Sequence, residues 1–165
     1  MIKISRHQLT LPDGYRWITE DDVFKEFDCF DPRMKKYSLA DYYQWSLKTN
    51  ALVLVREVEN KIFGVAYLTV TKDYLMLEML ARNSLEDSQG SGENMLRVIF
   101  NVICVKLSIS EVRLEAIQGA VFYYDEYLIE NLRFKEYDKP YFDEEWGMLT
   151  PKKKMVKLEL GKETK

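Results

Sequence analysis

Hydrophobic and polar positions along the chain follow two different periods, and the period changes several times. Near the start, Thr19 precedes three acidic residues and then apolar ones, which is the pattern of a helix start. From position 51 onward, two runs of β-forming residues flank Glu59-Asn60-Lys61, which is typical of a hairpin. The elements predicted for the first half are a helix beginning at Thr19, a helix over about 38–47, and three strands over about 51–58, 62–71 and 74–81 in meander order.

The second half begins with an apolar helix and ends with an alternating strand. Between Gly92 and Leu107, the polar residues Glu93, Arg97 and Asn101 are spaced by four, so this helix is predicted to be mostly buried against the sheet. The elements predicted here are a helix over about 92–107, a strand from Glu111, a helix over about 120–133, a solvated lysine loop at 152–154 and a strand over about 155–160. This order predicts an α/β fold around a mixed sheet.

The length and composition of the chain predict a single folded domain. It has 165 residues, of which 47% are hydrophobic and 13% aromatic, with no low-complexity segment. A net charge of −3, from 24 basic and 27 acidic residues, argues against a dedicated nucleic-acid-binding protein. The single His7 and the separated Cys29 and Cys104 effectively exclude a Cys/His zinc site. No leader-like or membrane-spanning stretch is visible, so we expect no membrane association and a cytoplasmic location.

The most distinctive segment is the junction between the third strand and the apolar helix. Gln89-Gly-Ser-Gly92 opens the helix, where backbone N–H groups are unpaired and the helix dipole is positive. Because glycines let a backbone approach a phosphate closely, this junction is a candidate pyrophosphate cradle. It has neither the Gly-Lys-Ser/Thr of a Walker A loop nor a GxGxxG fingerprint. The alternative is a loop in which Gly90 and Gly92 only satisfy turn geometry.

The segment Gln89-Gly-Ser-Gly-Glu-Asn94 resembles the acetyl-CoA signature R/Q-x-x-G-x-G/A of the GCN5-related N-acetyltransferase (GNAT) superfamily, and the element order over about 15–160 resembles that fold. The resemblance implies one acetyl-CoA-binding domain over 1–165, with a mixed central β-sheet of about six to seven strands flanked by about four helices. It also implies two sets of cofactor-binding residues. The pyrophosphate would bind Gln89, Gly90, Ser91, Gly92, Glu93 and Asn94, and the pantetheine arm would bind main-chain groups of Leu80, Ala81 and Arg82.

Both signatures depart from the family's pattern, and in the second Arg133 also stands where glycine is usual. Asn94 stands where Gly or Ala is usual. In the second signature, matched by Leu128-Ile-Glu-Asn-Leu-Arg-Phe134, Ile129 takes the place of the tyrosine that serves the family as general acid. That role is therefore not carried over, and Tyr127 is the candidate catalytic residue among the neighbours Tyr123, Tyr124 and Tyr127. The alternative for each of them is packing in the core or cleft.

Glu78 is the second candidate catalytic residue. It is one carboxylate in an apolar strand, and several family members carry a glutamate four residues before the end of this strand. Partial desolvation would raise the pKa of such a glutamate and suit it to act as a general base on an amine. The alternatives are a salt bridge or an edge position that faces water.

These residues predict an acetyl-CoA-dependent N-acetyltransferase in which a primary amine of a protein or a small molecule attacks the thioester directly. Ile129 and Asn94 support a different class, a catalytically impaired GNAT-fold module that binds coenzyme A or a partner protein. A nucleic-acid-binding or protein-binding domain without a cofactor is a third alternative, and the acidic balance argues against its nucleic-acid version. The acceptor is not specified by any motif, and homodimer formation stays open.

Overall fold

The computed structural model of the protein describes residues 9–29, 36–84, 91–109, 111–115, 134–136, 141–143, 148–150 and 152–156. Its strands are β1 (Tyr15–Trp17), β2 (Ala51–Val58), β3 (Lys61–Val70), β4 (Leu75–Arg82), β5 (Glu111–Glu115), β6 (Phe134–Glu136), β7 (Tyr141–Asp143), β8 (Met148–Thr150) and β9 (Lys152–Val156). Its helices are a 3-10 helix (Glu20–Phe24), α1 (Leu39–Ser46), α2 (Ser91–Val98), a π-helical segment (Ile99–Ile103) and α3 (Cys104–Leu107).

The strands form a seven-stranded mixed sheet in the order β1-β2-β3-β4-β5-β9-β6, and β7 and β8 pair separately. Within the large sheet only β4 and β5 are parallel. Parallel neighbours need a crossover connection, and the continuous helical stretch 91–107 lies between these two strands in the sequence. The predicted α/β fold with a mixed sheet is confirmed. The large sheet has seven strands, within the predicted six to seven, and the β7–β8 pair is additional. In the described part of the chain the helical elements group into three, the 3-10 helix, α1 and the continuous stretch 91–107, where about four helices were predicted.

The predicted β2–β3 hairpin is confirmed. Val58 pairs with Lys61, so the turn consists of Glu59 and Asn60 alone, and Lys61 already belongs to β3. Both turn residues have positive φ angles, 50° and 66°, which is the type I′ geometry whose twist matches that of the flanking strands.

The sheet has a hydrophobic core on each face. On one face, Met95, Leu96, Ile99 and Ile103 of the 91–107 helix are fully buried against Leu52, Leu54, Leu68 and Leu75 of the sheet. This confirms the predicted buried helix. On the other face, α1 packs through Leu39 and Tyr42 on Ala51, Val53, Val55 and Tyr67. The two faces of the sheet therefore bury different helices: the 91–107 stretch lies on one face and α1 on the other.

The start of the chain is anchored by buried charge. The predicted helix start at Thr19 is confirmed in place, although the helix is of the 3-10 type. The Thr19 N–H donates to the carboxylate of Asp22 at 2.8 Å, and that side chain is completely buried. Arg16 and Lys25 also contact Asp22, which joins β1 to the 3-10 helix.

Two predictions for the end of the chain need correction. The lysine run 152–154 was expected to be a loop, but it lies in β9, which pairs with β5 on one side and β6 on the other. Lysine is less common in strands than in other structure, and here main-chain pairing with two neighbouring strands overrides that tendency. Only Met155 and Val156 of the strand predicted over 155–160 belong to β9, and its remaining residues and the helix predicted over 120–133 lie outside the described residues.

Candidate active site

Strands β4 and β5 part in the middle of β4. Along β3, pairing continues from Leu75 to Arg82, but β5 pairs with β4 only at positions 75–77. Among the described residues, positions 78–82 therefore have a neighbouring strand on one edge only. We call the space along their other edge the β4 cleft.

The far end of the β4 cleft is closed by the segment that follows the 3-10 helix. The Asn83 N–H donates to the carbonyl of Phe63 on β3 at 2.9 Å. Main-chain groups of successive residues in a strand point to opposite edges, so Ser84 points to the β5 side. There its N–H donates to the carbonyl of Asp28 at 2.8 Å, and Cys29 forms an isolated antiparallel bridge with Asn83. The cleft thus lies between β5 at one end and Asp28 at the other.

The same alternation tells which main-chain groups line the β4 cleft. Ala81 and Asn83 face β3, where Ala81 pairs with Val65. Leu80 and Arg82 face the cleft. Of the three residues predicted to bind the pantetheine arm, Leu80 and Arg82 are therefore the ones whose main-chain groups point into it.

A β-bulge marks the point where β4 leaves β5. On β3, Tyr67 pairs with Met79 and Leu68 with Leu77, so Glu78 is an extra residue. The bulge reverses the alternation of side chains along the strand. Leu77 and Leu80 pack on the α2 face, whereas Met79 packs on the α1 face. Bulges are common beside active sites because they redirect side chains in this way.

The helix that follows β4 begins at Ser91. The first amides of a helix have no intrahelical partner, so the N–H groups of Ser91, Gly92 and Glu93 are available to an anion. Asn94 is the fourth residue of the helix, and its N–H can donate to the carbonyl four residues earlier. Among the described residues of the predicted pyrophosphate set, the first three thus fit the role by their main chain.

Many solved structures have a similar fold, and the three described next are 14% or 15% identical to this chain in sequence. Ard1 from Thermoplasma volcanium is similar with a TM-score of 0.67 at 14% identity, covering 88% of this chain and 97% of that one. The ribosomal-protein-S18-alanine N-acetyltransferase from Escherichia coli is similar with a TM-score of 0.64 at 15% identity, covering 92% and 97%. An acetyltransferase from Bacillus anthracis, solved in complex with acetyl coenzyme A, has a TM-score of 0.55 at 14% identity, covering 70% and 67%. No protein-family model and no curated protein sequence matches the chain.

The chain has the GNAT fold. The resemblance seen in the sequence is therefore confirmed at the level of the fold. Identities of 14% and 15% leave the activity and the acceptor of this GNAT-fold protein to be argued from its own residues.

The surroundings of Glu78 in the structure differ from those predicted. Its side chain is exposed, so the expectation that the apolar strand partly desolvates the carboxylate is wrong. The bulge explains the error, because Glu78 lies where β4 has left β5. Within the described part of the chain its carboxylate makes no hydrogen bond or ion pair, which argues against the salt-bridge alternative. Glu78 thus faces solvent at the edge of the β4 cleft.

An aromatic cluster lies on the α1 face of the sheet beside the bulge. Trp45 of α1 stacks on Tyr67 with ring centroids 5.1 Å apart, and Tyr37 and Tyr42 contact Trp45 edge-on at 5.4 Å and 5.1 Å. Tyr67 is directly opposite Met79, the residue after Glu78. The cluster connects α1 to the bulge, a link that sequence reasoning missed because no local motif announces it.

Tyr42 of this cluster carries a buried hydroxyl without a hydrogen-bond partner. Burial raises the pKa of Tyr42 well above its ordinary value, with smaller contributions from Cys29, Tyr37 and Asp41. The hydroxyl is therefore neutral at physiological pH, which makes Tyr42 a packing residue in this arrangement and not a base.

Several predicted site residues fall outside the described part of the chain. They are Gln89 and Gly90 of the pyrophosphate set and the general-acid candidate Tyr127. In the ranges that are described, no group of three or more His, Cys, Asp or Glu side chains is placed to hold a metal ion. No helix found there is long and apolar enough to cross a membrane.

Proposed function

We propose that the protein is an acetyl-CoA-dependent N-acetyltransferase that transfers an acetyl group to a primary amine by direct attack. The observation that carries the proposal is the β4 cleft, which opens at the Glu78 bulge and is followed in the sequence by the start of α2, whose first amides have no intrahelical partner. A strand edge suits an extended amide-containing arm, and a helix N-terminus suits a phosphate. The GNAT fold of the chain supports the same assignment.

The cofactor-binding roles follow from this placement. Leu80 and Arg82 would hydrogen-bond the pantetheine arm through main-chain groups, as a neighbouring strand would. The resemblance also named Ala81, but its main-chain groups face β3 and its side chain is buried on the α1 face, so it would not contact the arm directly. The pyrophosphate would bind the amides of Ser91, Gly92 and Glu93, and the resemblance adds Gln89, Gly90 and Asn94 to this set. Bound acetyl-CoA supplies the activated acetyl thioester.

The chemistry needs a base, a stabilised oxyanion and an acid. Glu78 would accept the proton that the amine loses, directly or through a water molecule, as the new C–N bond forms. The Leu80 N–H faces the β4 cleft and would donate to the oxyanion of the tetrahedral intermediate. When the C–S bond breaks, Tyr127 or water would return a proton to the thiolate. No covalent enzyme intermediate is required.

The acceptor would approach from the α1 face, where Met79 and the aromatic cluster lie beside the bulge. A protein N-terminus, a lysine side chain and a small amine all remain candidates. One structural neighbour is named as an N-acetyltransferase of a protein alanine. A peptide with a free N-terminal alanine is therefore a sensible first acceptor.

A second candidate function is favoured by Ile129, which stands where the family's general-acid tyrosine is usual. In that case the protein binds coenzyme A and acts as a sensor or interaction module without turnover. Binding measurements alone do not distinguish it from the enzyme, because both bind the cofactor.

The test combines calorimetry with a thiol-release assay. We expect acetyl-CoA to bind the full-length protein and free coenzyme A to appear when an amine is added. The amines are a peptide with a free N-terminal alanine, an N-terminally blocked lysine peptide, and spermidine. Binding without thiol release from any of them favours the second candidate. Absence of acetyl-CoA binding overturns both.

A cytoplasmic location belongs to this proposal, since neither Cys29 nor Cys104 forms a disulfide.

A further inference from the structure

The buried carboxamide of Asn83 lies immediately after the end of β4. The residue is 1% exposed, and its side chain makes three hydrogen bonds to the main chain. Nδ2 donates to the carbonyl of Ile62 at 2.9 Å and to that of Glu26 at 3.2 Å, and Oδ1 accepts from the N–H of Asp28 at 3.1 Å. One side chain thus joins β4, β3 and the 26–29 segment.

The 26–29 segment is joined to β4 by a second set of bonds. The Ser84 hydroxyl donates to the carbonyl of Asp28 at 3.0 Å and is 3.1 Å from its carboxylate Oδ2. Cys29 is buried at 3% exposure and forms a bridge with Asn83. The segment is therefore held at the end of the β4 cleft by side-chain and main-chain contacts together.

We infer that Asn83 is a positioning residue, which fixes the 26–29 segment relative to the main-chain groups of Leu80 and Arg82 and thereby sets the distance between the bound amine and the thioester. The inference rests on the proposed function. Cys29 of this segment lies in the same core cluster as Leu39 and Tyr42 of α1, on whose face the acceptor would bind, while Leu80 and Arg82 would hold the acetyl donor. Asn83 contacts neither reactant and acts through the segment it holds.

Only asparagine supplies this combination of groups in so short a side chain. Its amide offers two N–H donors and a carbonyl acceptor, and all three of these groups form hydrogen bonds. Aspartate has no donor when ionised, and alanine removes the partner of the buried Ile62 carbonyl and of the partly buried main-chain groups of Glu26 and Asp28. Leaving such groups without a partner is unfavourable. The rest of the segment would shift to satisfy them.

Such a shift affects the two substrates differently. The cofactor-binding groups of Leu80 and Arg82 belong to a strand that stays paired with β3. A misplacement of about 1 Å between reactants lowers a rate by about 10²-fold. Loss of Asn83 should therefore reduce kcat/KM for the amine by about tenfold or more and change acetyl-CoA affinity by no more than about twofold.

The pairing of Cys29 with Asn83 allows a reversible test. Because Ser84 donates to Asp28 across this bridge, the two residues form a non-hydrogen-bonded pair, for which the Cα separation is about 4.5 Å. A disulfide needs about 4.4–6.8 Å. Asn83→Cys therefore removes the three side-chain hydrogen bonds when reduced, and it restores the connection to the segment covalently when oxidised.

The experiment measures acetyl-CoA affinity by calorimetry and thiol release with the alanine peptide or, if the wild type does not use it, with spermidine. Asn101→Cys, on an exposed position of the π-helical segment, controls for the added thiol under the same redox treatment. We expect reduced Asn83→Cys to lose about tenfold or more in kcat/KM for the amine and oxidised Asn83→Cys to recover to within about threefold of the wild type. Acetyl-CoA affinity should be preserved in both forms.

Four results count against the inference, and they differ in what they exclude. An active reduced variant removes the positioning role while leaving the proposed function intact. A folded variant that forms no disulfide contradicts the pairing of Cys29 with position 83. A wild-type protein that acetylates none of the amines overturns the proposed function, and the positioning role with it. If the reduced form does not fold, the oxidised form alone decides, because an inactive but folded disulfide form that still binds acetyl-CoA contradicts the role.

Discussion

Arg16 donates two hydrogen bonds to the carboxylate of Asp22, from Nη1 to Oδ2 at 2.7 Å and from Nη2 to Oδ1 at 2.8 Å. Asp22 is completely buried, and Lys25 adds an ion pair at 3.1 Å. Burial alone would raise the pKa of Asp22, but hydrogen bonds from Arg16, from the Thr19 N–H and from Lys25 lower it to about 2. The pair fixes the 3-10 helix just before the 26–29 segment.

Because the pKa of Asp22 is lower in the folded protein than the ordinary value of 3.8, its ionised form stabilises the fold. This contribution is complete above about pH 4 and is lost as the pH falls towards about 2, and it is on the order of 2 kcal/mol. We expect Asp22→Asn to lower the free energy of unfolding at pH 7 by about 2–3 kcal/mol and to flatten its fall between about pH 4 and 2. Urea unfolding across this range measures both.

The control is Asp21→Asn on the exposed neighbouring residue, which should change little. Equal pH profiles for the two variants would contradict the assignment.

The turn between β2 and β3 offers a stability test of local geometry. Type I′ turns favour Asn-Gly, whereas this chain places Glu59 and Asn60 at the two positions of positive φ. The double variant Glu59→Asn, Asn60→Gly should raise the free energy of unfolding by about 1 kcal/mol, because it relieves part of the cost of positive φ at non-glycine residues. Glu59→Val should lower it, since a β-branched residue at φ of 50° is strained. Thermal unfolding of both variants measures the difference, and a change in the same direction for both would argue against the turn type.

The parts of the fold that the sequence predicts correctly depend on near neighbours. The β2–β3 hairpin and the buried 91–107 helix follow from periods of a few residues, and both are confirmed. Asn83 was missed because its side-chain partners Asp28 and Glu26 are 55 and 57 positions away. The predicted environment of Glu78 was wrong for the same reason, because the exposure of its side chain depends on where β5 stops pairing with β4. Local sequence patterns predict helices and strands, whereas contacts between residues that are distant in the sequence determine the surroundings of the site residues.

The start of α2 gives a test of the pyrophosphate site. Gly92→Asp places a negative charge among the amides proposed to bind the pyrophosphate. Aspartate in the first turn of a helix is favourable to the helix itself, so a loss of affinity would not result from a weaker fold. We expect acetyl-CoA affinity to fall by about tenfold or more, which corresponds to about 1.4 kcal/mol. Calorimetry measures it, with thermal unfolding as the check of the fold.

Two control variants separate charge from shape at this position. Gly92→Ala adds a methyl group without charge, and Asn101→Asp adds the same charge at an exposed position further along the helical stretch. Both should retain more affinity than Gly92→Asp. Unchanged affinity in a folded Gly92→Asp variant would place the cofactor away from this helix start.

Glu78 carries the proposed proton transfer. An alkyl amine has a pKa near 10.4, so at pH 7 only about a thousandth of it is the free nucleophile. A positioned base supplies about 10²–10⁴-fold by accepting that proton. The carboxylate is exposed at the bulge, so it can reach an acceptor or a bridging water from solvent. Glu78→Gln keeps the size of the side chain and removes its basicity. At neutral pH, kcat/KM for the amine should fall by about tenfold or more, with acetyl-CoA affinity preserved.

The pH dependence of this variant distinguishes a base from a binding residue. With the lysine peptide as acceptor, raising the pH from about 7 to about 9 increases the free amine about a hundredfold without help from the protein, so Glu78→Gln should approach wild-type activity at the upper end. An N-terminal alanine, with a pKa of about 7.7–8.0, gains less than about tenfold and is not suited to this test. A loss of the same size at every pH would instead mean that Glu78 orients the acceptor, and the proton would need another route. Wild-type activity throughout would return Glu78 to a surface role. Glu59→Gln, an exposed carboxylate on the β2–β3 turn, is the matched control and should behave as the wild type at each pH.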